Sequence, residues 1–181
     1  MLQTKLHLNF ESTDRYLCQQ IIRYRVNSMA TDQSGRRNQV LRTMEPDVVA
    51  LPSLLLADDN PALLETLVDM LEPTYKVAAA LHNGVSVLEK FRALAPDLII
   101  LDVSLGDITG FEVAKRLREA GCRAKIIFLS VHEDIDFVNA AFDLGASGYV
   151  FKSRITTDLT KAIDIVFKGG EFASITLPSK H

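Results

Sequence analysis

The chain has 181 residues, of which 48% are apolar and 24% are charged, and this is enough for one compact domain with an extension. Its net charge of −3 argues against a basic protein that coats nucleic acid. The two cysteines, Cys18 and Cys122, lie in no metal-ligand spacing, and no apolar stretch is long enough to span a membrane, so we expect reduced thiols in the cytoplasm and no membrane partner.

The first 52 residues differ in character from the rest of the chain. Residues 16–26 could form one short helix, whereas residues 31–39 are polar and typical of a flexible segment. We therefore predict an irregular N-terminal extension over 1–52, which is either disordered, partly helical, an arm that binds a partner, or an upstream stretch before a later start at Met29 or Met44. A regular domain over 53–170 and a C-terminal tail over 171–181 are expected to follow.

From residue 54 onward, short apolar runs alternate with helical patterns. The runs are nearly continuous, which is typical of parallel strands buried on both faces; they cover residues 54–57, 77–81, 98–101, 126–129 and 149–151. Apolar residues at helical spacing lie between and after the runs, Asn60-Pro61 is suited to begin a helix, and Gly145 is suited to end one. This predicts an α/β domain, a five-stranded parallel sheet with helices on both faces.

Polar residues stand where the predicted strands end. Asp58 and Asp59 follow the first strand, Asp102 the third, Ser130 the fourth and Lys152 the fifth. If the strand order is 2-1-3-4-5, the three carboxylates meet at the carboxyl edge, where open parallel sheets bind ligands. Carboxylates that close repel one another unless a cation lies among them, and hard oxygen ligands suit Mg²⁺. With an ammonium and a hydroxyl nearby, the set suits a phosphoryl group that an aspartate can accept covalently.

Four stretches carry a resemblance to a known family: "LLLADDNP", "LIILDVSLGDITGFEVAKRLR", "IIFLSVHED" and "GASGYVFK". Together they make residues 54–169 resemble the receiver domain of two-component response regulators, which has a flavodoxin-like fold. The stretch "DLTKAIDIVFKGG" is similar to the branch of receivers that commonly precedes a LuxR-type helix-turn-helix output domain.

The resemblance implies a phosphoacceptor and a metal site. Asp102 would be phosphorylated by a histidine kinase. Asp59, Asp102 and the backbone carbonyl of Ser104 would bind Mg²⁺, with Asp58 assisting through water. Lys152 would contact the phosphoryl group.

The resemblance also implies a switch and one departure from the family pattern. Ser130 would move to meet the phosphoryl oxygen, and Tyr149 would turn inward when Ser130 moves. Ser104 and His132 flank the expected path of attacking water, so we expect them to tune the lifetime of the phosphate. The family usually carries proline at the position of Gly106, and glycine is expected to leave this loop more flexible.

A receiver of this kind would not be a multiple-turnover enzyme, because it catalyses only its own phosphorylation and dephosphorylation. Two alternatives stay open. An aspartyl-phosphate phosphohydrolase is disfavoured because Asp102-Val103-Ser104 lacks a second carboxylate, and an interaction module that works unphosphorylated is disfavoured by the complete acidic set. Taken singly, each site residue has an ordinary explanation, such as helix capping by Asp58 and Asp59, so the interpretation depends on the whole set.

The implied partners are a sensor histidine kinase or a phosphotransfer protein. A homodimer through helix 4, strand 5 and helix 5 is also expected. Because the chain ends at His181, without the output domain of the similar branch, we expect no direct DNA binding by this chain.

Overall fold

The computed structural model describes residues 51–175, in which a six-stranded parallel sheet carries helices on both faces. The strands are β1 (Ser53–Ala57), β2 (Lys76–Leu81), β3 (Leu98–Asp102), β4 (Lys125–Ser130), β5 (Gly148–Phe151) and β6 (Phe172–Ala173). The helices are α1 (Pro61–Leu71), α2 (Gly84–Leu94), α3 (Gly110–Glu119), α4 (Ile135–Asp143) and α5 (Ile155–Phe167). Most of the predicted extension over 1–52, and the end of the predicted tail over 171–181, lie outside the described residues. None of the helices described here is long and apolar enough to cross a membrane.

The strands lie in the order β2-β1-β3-β4-β5-β6, which confirms the predicted order of the first five. β1 lies between β2 and β3, and its last residue, Ala57, pairs with Leu101 of β3. Successive residues of a strand point to opposite faces of the sheet, so Leu54 and Leu56 enter one core while Leu55 and Ala57 enter the other. Burial on both faces explains why the strands appear in the sequence as continuous apolar runs.

Two helical layers cover the two faces of the sheet. α1 and α5 pack on one face through a row of buried residues that includes Leu64, Leu67 and Leu159. α2, α3 and α4 pack on the other face through residues such as Val113 and Val138. Burying a side chain of this size is worth about 1.5–3 kcal/mol, so the two apolar layers hold the carboxyl edge of the sheet in a fixed frame.

Local signals in the sequence begin and end the helices as predicted. The Asn60 side chain accepts hydrogen bonds from the backbone N–H groups of Ala62 (3.1 Å) and Leu63 (3.2 Å), ahead of Pro61 at the first helical position. After α4, Gly145 adopts a φ of +78°, and the N–H of Ala146 bonds back into the last turn of the helix.

The sixth strand corrects the prediction of a five-stranded sheet with a plain tail. After α5 the chain pairs with β5 as a parallel strand. The backbone N–H of Phe172 donates to the carbonyl of Ser147 (3.2 Å), and that of Ser174 donates to the carbonyl of Tyr149 (2.9 Å). A two-residue strand has no apolar run of its own, so periodicity does not reveal it.

A buried polar contact anchors this strand. Ser174 is 2% exposed, and its hydroxyl donates to Oδ2 of Asp158 in α5 at 2.7 Å. Asp158 is also buried, and it contacts the Thr157 hydroxyl (3.1 Å) and the Arg154 guanidinium (2.8 Å). Burial opposes the ionisation of Asp158, but the hydrogen bonds from Ser174 and Thr157 and the charge of Arg154 outweigh it and lower its pKa.

Ser174→Ala should lower the free energy of unfolding by about 1–3 kcal/mol, because it removes a hydrogen bond from a buried carboxylate. Ser153→Ala is the matched control. The Ser153 hydroxyl also donates to a carboxylate, Glu133 at 2.6 Å, but this contact is exposed, so the expected loss is below about 0.5 kcal/mol. Urea unfolding of the two variants at pH 7 measures both values, and equal losses would contradict the anchor.

Candidate functional site

The register of β1 and β3 brings three carboxylates together. Ala57 and Leu101 are paired, so the next residues along the two strands, Asp58 and Asp102, come out side by side at the carboxyl edge. Asp59 follows directly, and one oxygen from each of the three aspartates lies within 4.8 Å of the others. The structure thus brings together the acidic residues that the sequence places at two strand ends.

Two of these carboxylates are buried. Asp58 is 0% exposed and Asp102 is 2% exposed, whereas Asp59 lies at the surface. Oδ1 of Asp58 accepts the backbone N–H of Asn60 at 2.9 Å. Burial raises the pKa of Asp102 above its ordinary range and the charge of Asp58 adds to this rise, against the opposing effects of Lys152 and the Ser104 backbone N–H.

The ammonium of Lys152 lies between the two buried carboxylates. Its Nζ is 2.7 Å from Oδ2 of Asp58 and 2.9 Å from Oδ2 of Asp102. Burial alone would lower the pKa of Lys152, but the ion pairs with Asp58 and Asp102 outweigh it and raise the pKa. Lys152 begins a short 3-10 turn, Lys152–Arg154, directly after β5.

The site carries more negative charge than Lys152 can balance. Three carboxylates face one ammonium, so Oδ2 of Asp58 and Oδ2 of Asp102 share Lys152 as their partner and the cluster keeps an excess of negative charge. Buried oxygens in this state are ready ligands for a hard cation. The donor set, carboxylates with one of them open to solvent, therefore fits Mg²⁺ with water in its remaining positions.

Glycine at position 110 allows α3 to start against β3, the strand that ends in Asp102. A Cβ atom on Gly110 would lie 2.1 Å from the backbone carbonyl oxygen of Asp102, closer than any side chain tolerates. The N–H of Gly110 donates to the carbonyl of Val103 at 2.9 Å. The backbone that carries Asp102 is thus held directly against the first residue of α3.

Ser130, Tyr149 and His132 form a connected group on the other side of Asp102. Ser130 ends β4, is 1% exposed, and accepts the N–H of His132 on its Oγ at 3.0 Å. Tyr149 is fully buried and donates its hydroxyl to the carbonyl of His132 at 3.0 Å. Burial raises the pKa of this phenol, and the charge of Asp102 adds to the rise while Ser130 opposes it. Tyr149 therefore already lies inward in this structure, bonded to the loop after β4.

The two predicted tuning residues lie at the surface, beside the buried site. Ser104 is exposed in the loop after β3, where it forms a bridge with Thr109. His132 is exposed in the loop after β4, and its ring stacks on Phe137 at a centroid distance of 4.2 Å.

Sequence reasoning missed Asp107. Its carboxylate accepts the backbone N–H groups of Gly84 (3.0 Å) and Val85 (3.1 Å) at the start of α2. Asp107 is only five residues after Asp102, but α2 precedes β3 in the chain, so only the folded topology shows the contact. The one signal available from sequence is a carboxylate in a loop at the edge where helices begin.

Comparisons with known proteins show the family to which this domain belongs. The family model described as the response regulator receiver domain matches residues 54–164. The nitrate/nitrite response regulator protein NarL of Escherichia coli (strain K12) is 34% identical over 114 residues, which cover 61% of this chain and 52% of that protein. The transcriptional regulatory protein AfsQ1 of Streptomyces coelicolor is 36% identical over 122 residues, which cover 67% of this chain and 53% of that protein.

A solved structure extends the likeness to the fold. The crystal structure of a two-component response regulator of the LuxR family from Aurantimonas sp. SI85-9A1 superposes with a TM-score of 0.65 at 29% identity, covering 68% of this chain and 89% of that one. The chain spans about half the length of the two relatives named above. These relatives are regulatory proteins.

Asp102→Asn should raise the free energy of unfolding at pH 7, measured with a chelator present, because it removes a charged carboxylate that burial destabilises. A carboxyl whose pKa is raised by folding destabilises the protein above that pKa, so this penalty in the native chain should shrink as the pH falls towards it. Urea unfolding over a series of decreasing pH values measures this change: the native chain should gain stability relative to the Asp102→Asn variant as the pH falls. Asp69→Asn, at an exposed position of α1, is the control and should change little. A destabilised Asp102→Asn variant would contradict the charge argument.

Proposed function

Since the chain belongs to the response regulator receiver domain family, we propose that it is a phosphorylation-dependent receiver that accepts a phosphoryl group on Asp102. The observation that carries the proposal is the Asp102 carboxylate, buried beside Asp58 and 2.9 Å from the ammonium of Lys152. The donor is a sensor histidine kinase or a phosphotransfer protein.

The proposed reaction is a transfer between two side chains. An oxygen of the Asp102 carboxylate attacks the phosphorus of a phosphohistidine, the P–O bond forms as the P–N bond breaks, and the imidazole of the donor leaves. Lys152 offers its ammonium to a phosphoryl oxygen, because it already lies at hydrogen-bond distance from Asp102. The later hydrolysis returns the carboxylate, with water attacking phosphorus beside Ser104 and His132.

Mg²⁺ would be held by Asp59, Asp102 and the backbone carbonyl of Ser104, with Asp58 assisting through water. When bound, it neutralises the charge of the carboxylates and of the incoming phosphoryl oxygens. The excess of negative charge among the three carboxylates, which share one ammonium, supports this assignment. The residues of the chain do the rest: Asp58 and Lys152 orient Asp102, and the two strands keep the acceptor at the mouth of the site.

The proposed switch uses the contacts of Ser130 and Tyr149. Ser130 gives its hydroxyl to the phosphoryl group, and its Oγ now accepts the N–H of His132. Tyr149 holds the carbonyl of His132 from inside the domain. Phosphorylation would favour this inward arrangement and alter the face from α4 to α5, as a shift in population between two arrangements.

The alternative functions have less support. A phosphohydrolase with an aspartyl intermediate needs an acid two residues after the nucleophile, where this chain has Ser104. A receiver that works without phosphorylation would have no need for two buried carboxylates around a lysine, an arrangement that costs free energy.

A homodimer through α4, β5 and α5 remains part of the proposal, with one addition. β5 is not the edge strand of the sheet, because β6 pairs with it. The surface offered to a second copy therefore includes β6. The Ser174–Asp158 contact that anchors β6 should therefore also support that surface.

Incubation of the intact chain with a small acyl-phosphate donor and Mg²⁺ tests the phosphoacceptor. Intact mass should increase by one phosphoryl group, and Asp102→Ala should abolish the increase. Asp69→Ala is the matched control and should label like the native chain, since Asp69 is exposed on α1. No labelling by any donor or kinase would favour the unphosphorylated interaction module, and labelling of Asp102→Ala would assign the acceptor elsewhere.

Light scattering before and after phosphorylation tests the dimer. The molar mass measured for the phosphorylated protein should be twice that of the unphosphorylated monomer. Ser174→Ala should raise the dissociation constant of the dimer several-fold, because it loosens β6 at the interface. Thr66→Ala, on the exposed side of α1, should leave the dissociation constant unchanged. A monomer in both states would contradict the dimer.

A further inference from the structure

The loop between β3 and α3 makes a tight turn that proline could not adopt. Gly106 has a φ of +77°, and the N–H of Asp107 donates to the carbonyl of Leu105 at 2.9 Å, which defines a γ-turn with a positive central φ. Proline is held at a φ of about −65°. The glycine that departs from the family pattern is therefore required by the shape of this loop.

This turn lies against the carboxylate cluster. A Cβ atom at Gly106 would be 3.4 Å from Oδ2 of Asp59 and 3.9 Å from its Cβ. Within the same loop, the Ser104 backbone forms a β-bridge with Thr109, two residues after Asp102 at the end of β3. The loop thus lies beside Asp59, follows directly on Asp102 and carries the Ser104 carbonyl.

Asp107 ties this loop to a different element. Its two oxygens each accept one N–H at the start of α2, from Gly84 and Val85. In the described part of the chain, Asp107 is the one side chain of residues 103–108 that forms a hydrogen bond. These N–H groups, that of Gly84 above all, lower the pKa of Asp107, so the carboxylate is charged at neutral pH.

Helix capping alone does not explain this contact. α2 already has a capping residue, Asn83, whose side chain accepts the N–H of Ser86 at 2.8 Å. The start of α2 also packs tightly on the loop, since a Cβ atom at Gly84 would lie 2.7 Å from Ile108 and 2.6 Å from Val113. Asp107 adds two charged hydrogen bonds between the start of α2 and the loop, in which Gly106 makes the turn.

We propose that Asp107 is a positioning residue for phosphoryl acceptance, which holds the β3–α3 loop on α2 and so fixes the Ser104 carbonyl and Asp59 for Mg²⁺. The inference rests on the proposed function, because it concerns the geometry of that same site. Asp107 itself does not touch the metal or the phosphoryl group. It acts through the loop, as a partner that orients the ligands.

Asp107→Ala and Asn83→Ala form a matched pair that separates positioning from capping. Each substitution removes a side-chain acceptor from the start of α2. Of the two side chains, only that of Asp107 belongs to the β3–α3 loop and so connects the loop to the helix. Three measurements on the intact chain are needed: amide hydrogen exchange of residues 103–110, calorimetric titration with MgCl₂, and the initial rate of phosphorylation by an acyl-phosphate donor. Asp107→Asn, which keeps one acceptor oxygen, is expected to be intermediate.

Asp107→Ala should speed exchange in the loop and weaken both Mg²⁺ binding and the phosphorylation rate by about tenfold, the size expected for removing a residue that orients metal ligands. Asn83→Ala should leave all three unchanged. Equal effects in the two variants, or unchanged exchange and affinity in Asp107→Ala, would overturn the inference. A native chain that neither binds Mg²⁺ nor accepts phosphate would instead overturn the proposed function, and the exchange data would still decide whether Asp107 holds the loop.

Discussion

The burial of two carboxylates around one ammonium is the constraint on which the rest of the structure depends. Asp58 and Asp102 are both removed from water, and Lys152 is within 2.9 Å of each. Charges this close to one another and this far from solvent are costly unless a further cation balances the excess of negative charge. The arrangement persists because β1 and β3, the strands that position these aspartates, are almost entirely buried, so their packing outweighs the local electrostatic cost.

The parallel topology explains why so few residues suffice. Every strand of a parallel sheet ends at the same edge. Single residues at the ends of β3 and β4, or directly after β1 and β5, therefore come together although they are far apart in the sequence. The glycine at the start of α3 brings that helix against the Asp102 backbone, and Asp107 brings the intervening loop onto α2. The site is therefore built from strand ends and completed by contacts between loops and helix starts.

The strand ends could be predicted from the sequence, whereas the contacts between loops and helix starts could not. The strands, the helices and the placement of Asp58, Asp102 and Lys152 at one edge could be predicted, because burial on both faces leaves continuous apolar runs whose ends are visible. β6 could not, since its two residues are held by backbone pairing and by the buried Ser174 hydroxyl, which no periodicity reports. Nor could the bond from Asp107 to α2, because it depends on which helix start lies beside the loop.

Gly106 stands where the family usually has proline, and it adopts a defined backbone conformation beside the site. A glycine in a loop suggests freedom when it is considered alone, since it adds backbone conformations. Here the positive φ that only glycine accepts readily is what turns Asp107 towards α2, where its carboxylate has two N–H donors. A proline would restrict the backbone directly but would turn the loop elsewhere. The constraint that a proline would impose through the backbone is here supplied by a side-chain contact, and in the role proposed for Asp107 this contact holds the loop that carries the Ser104 carbonyl.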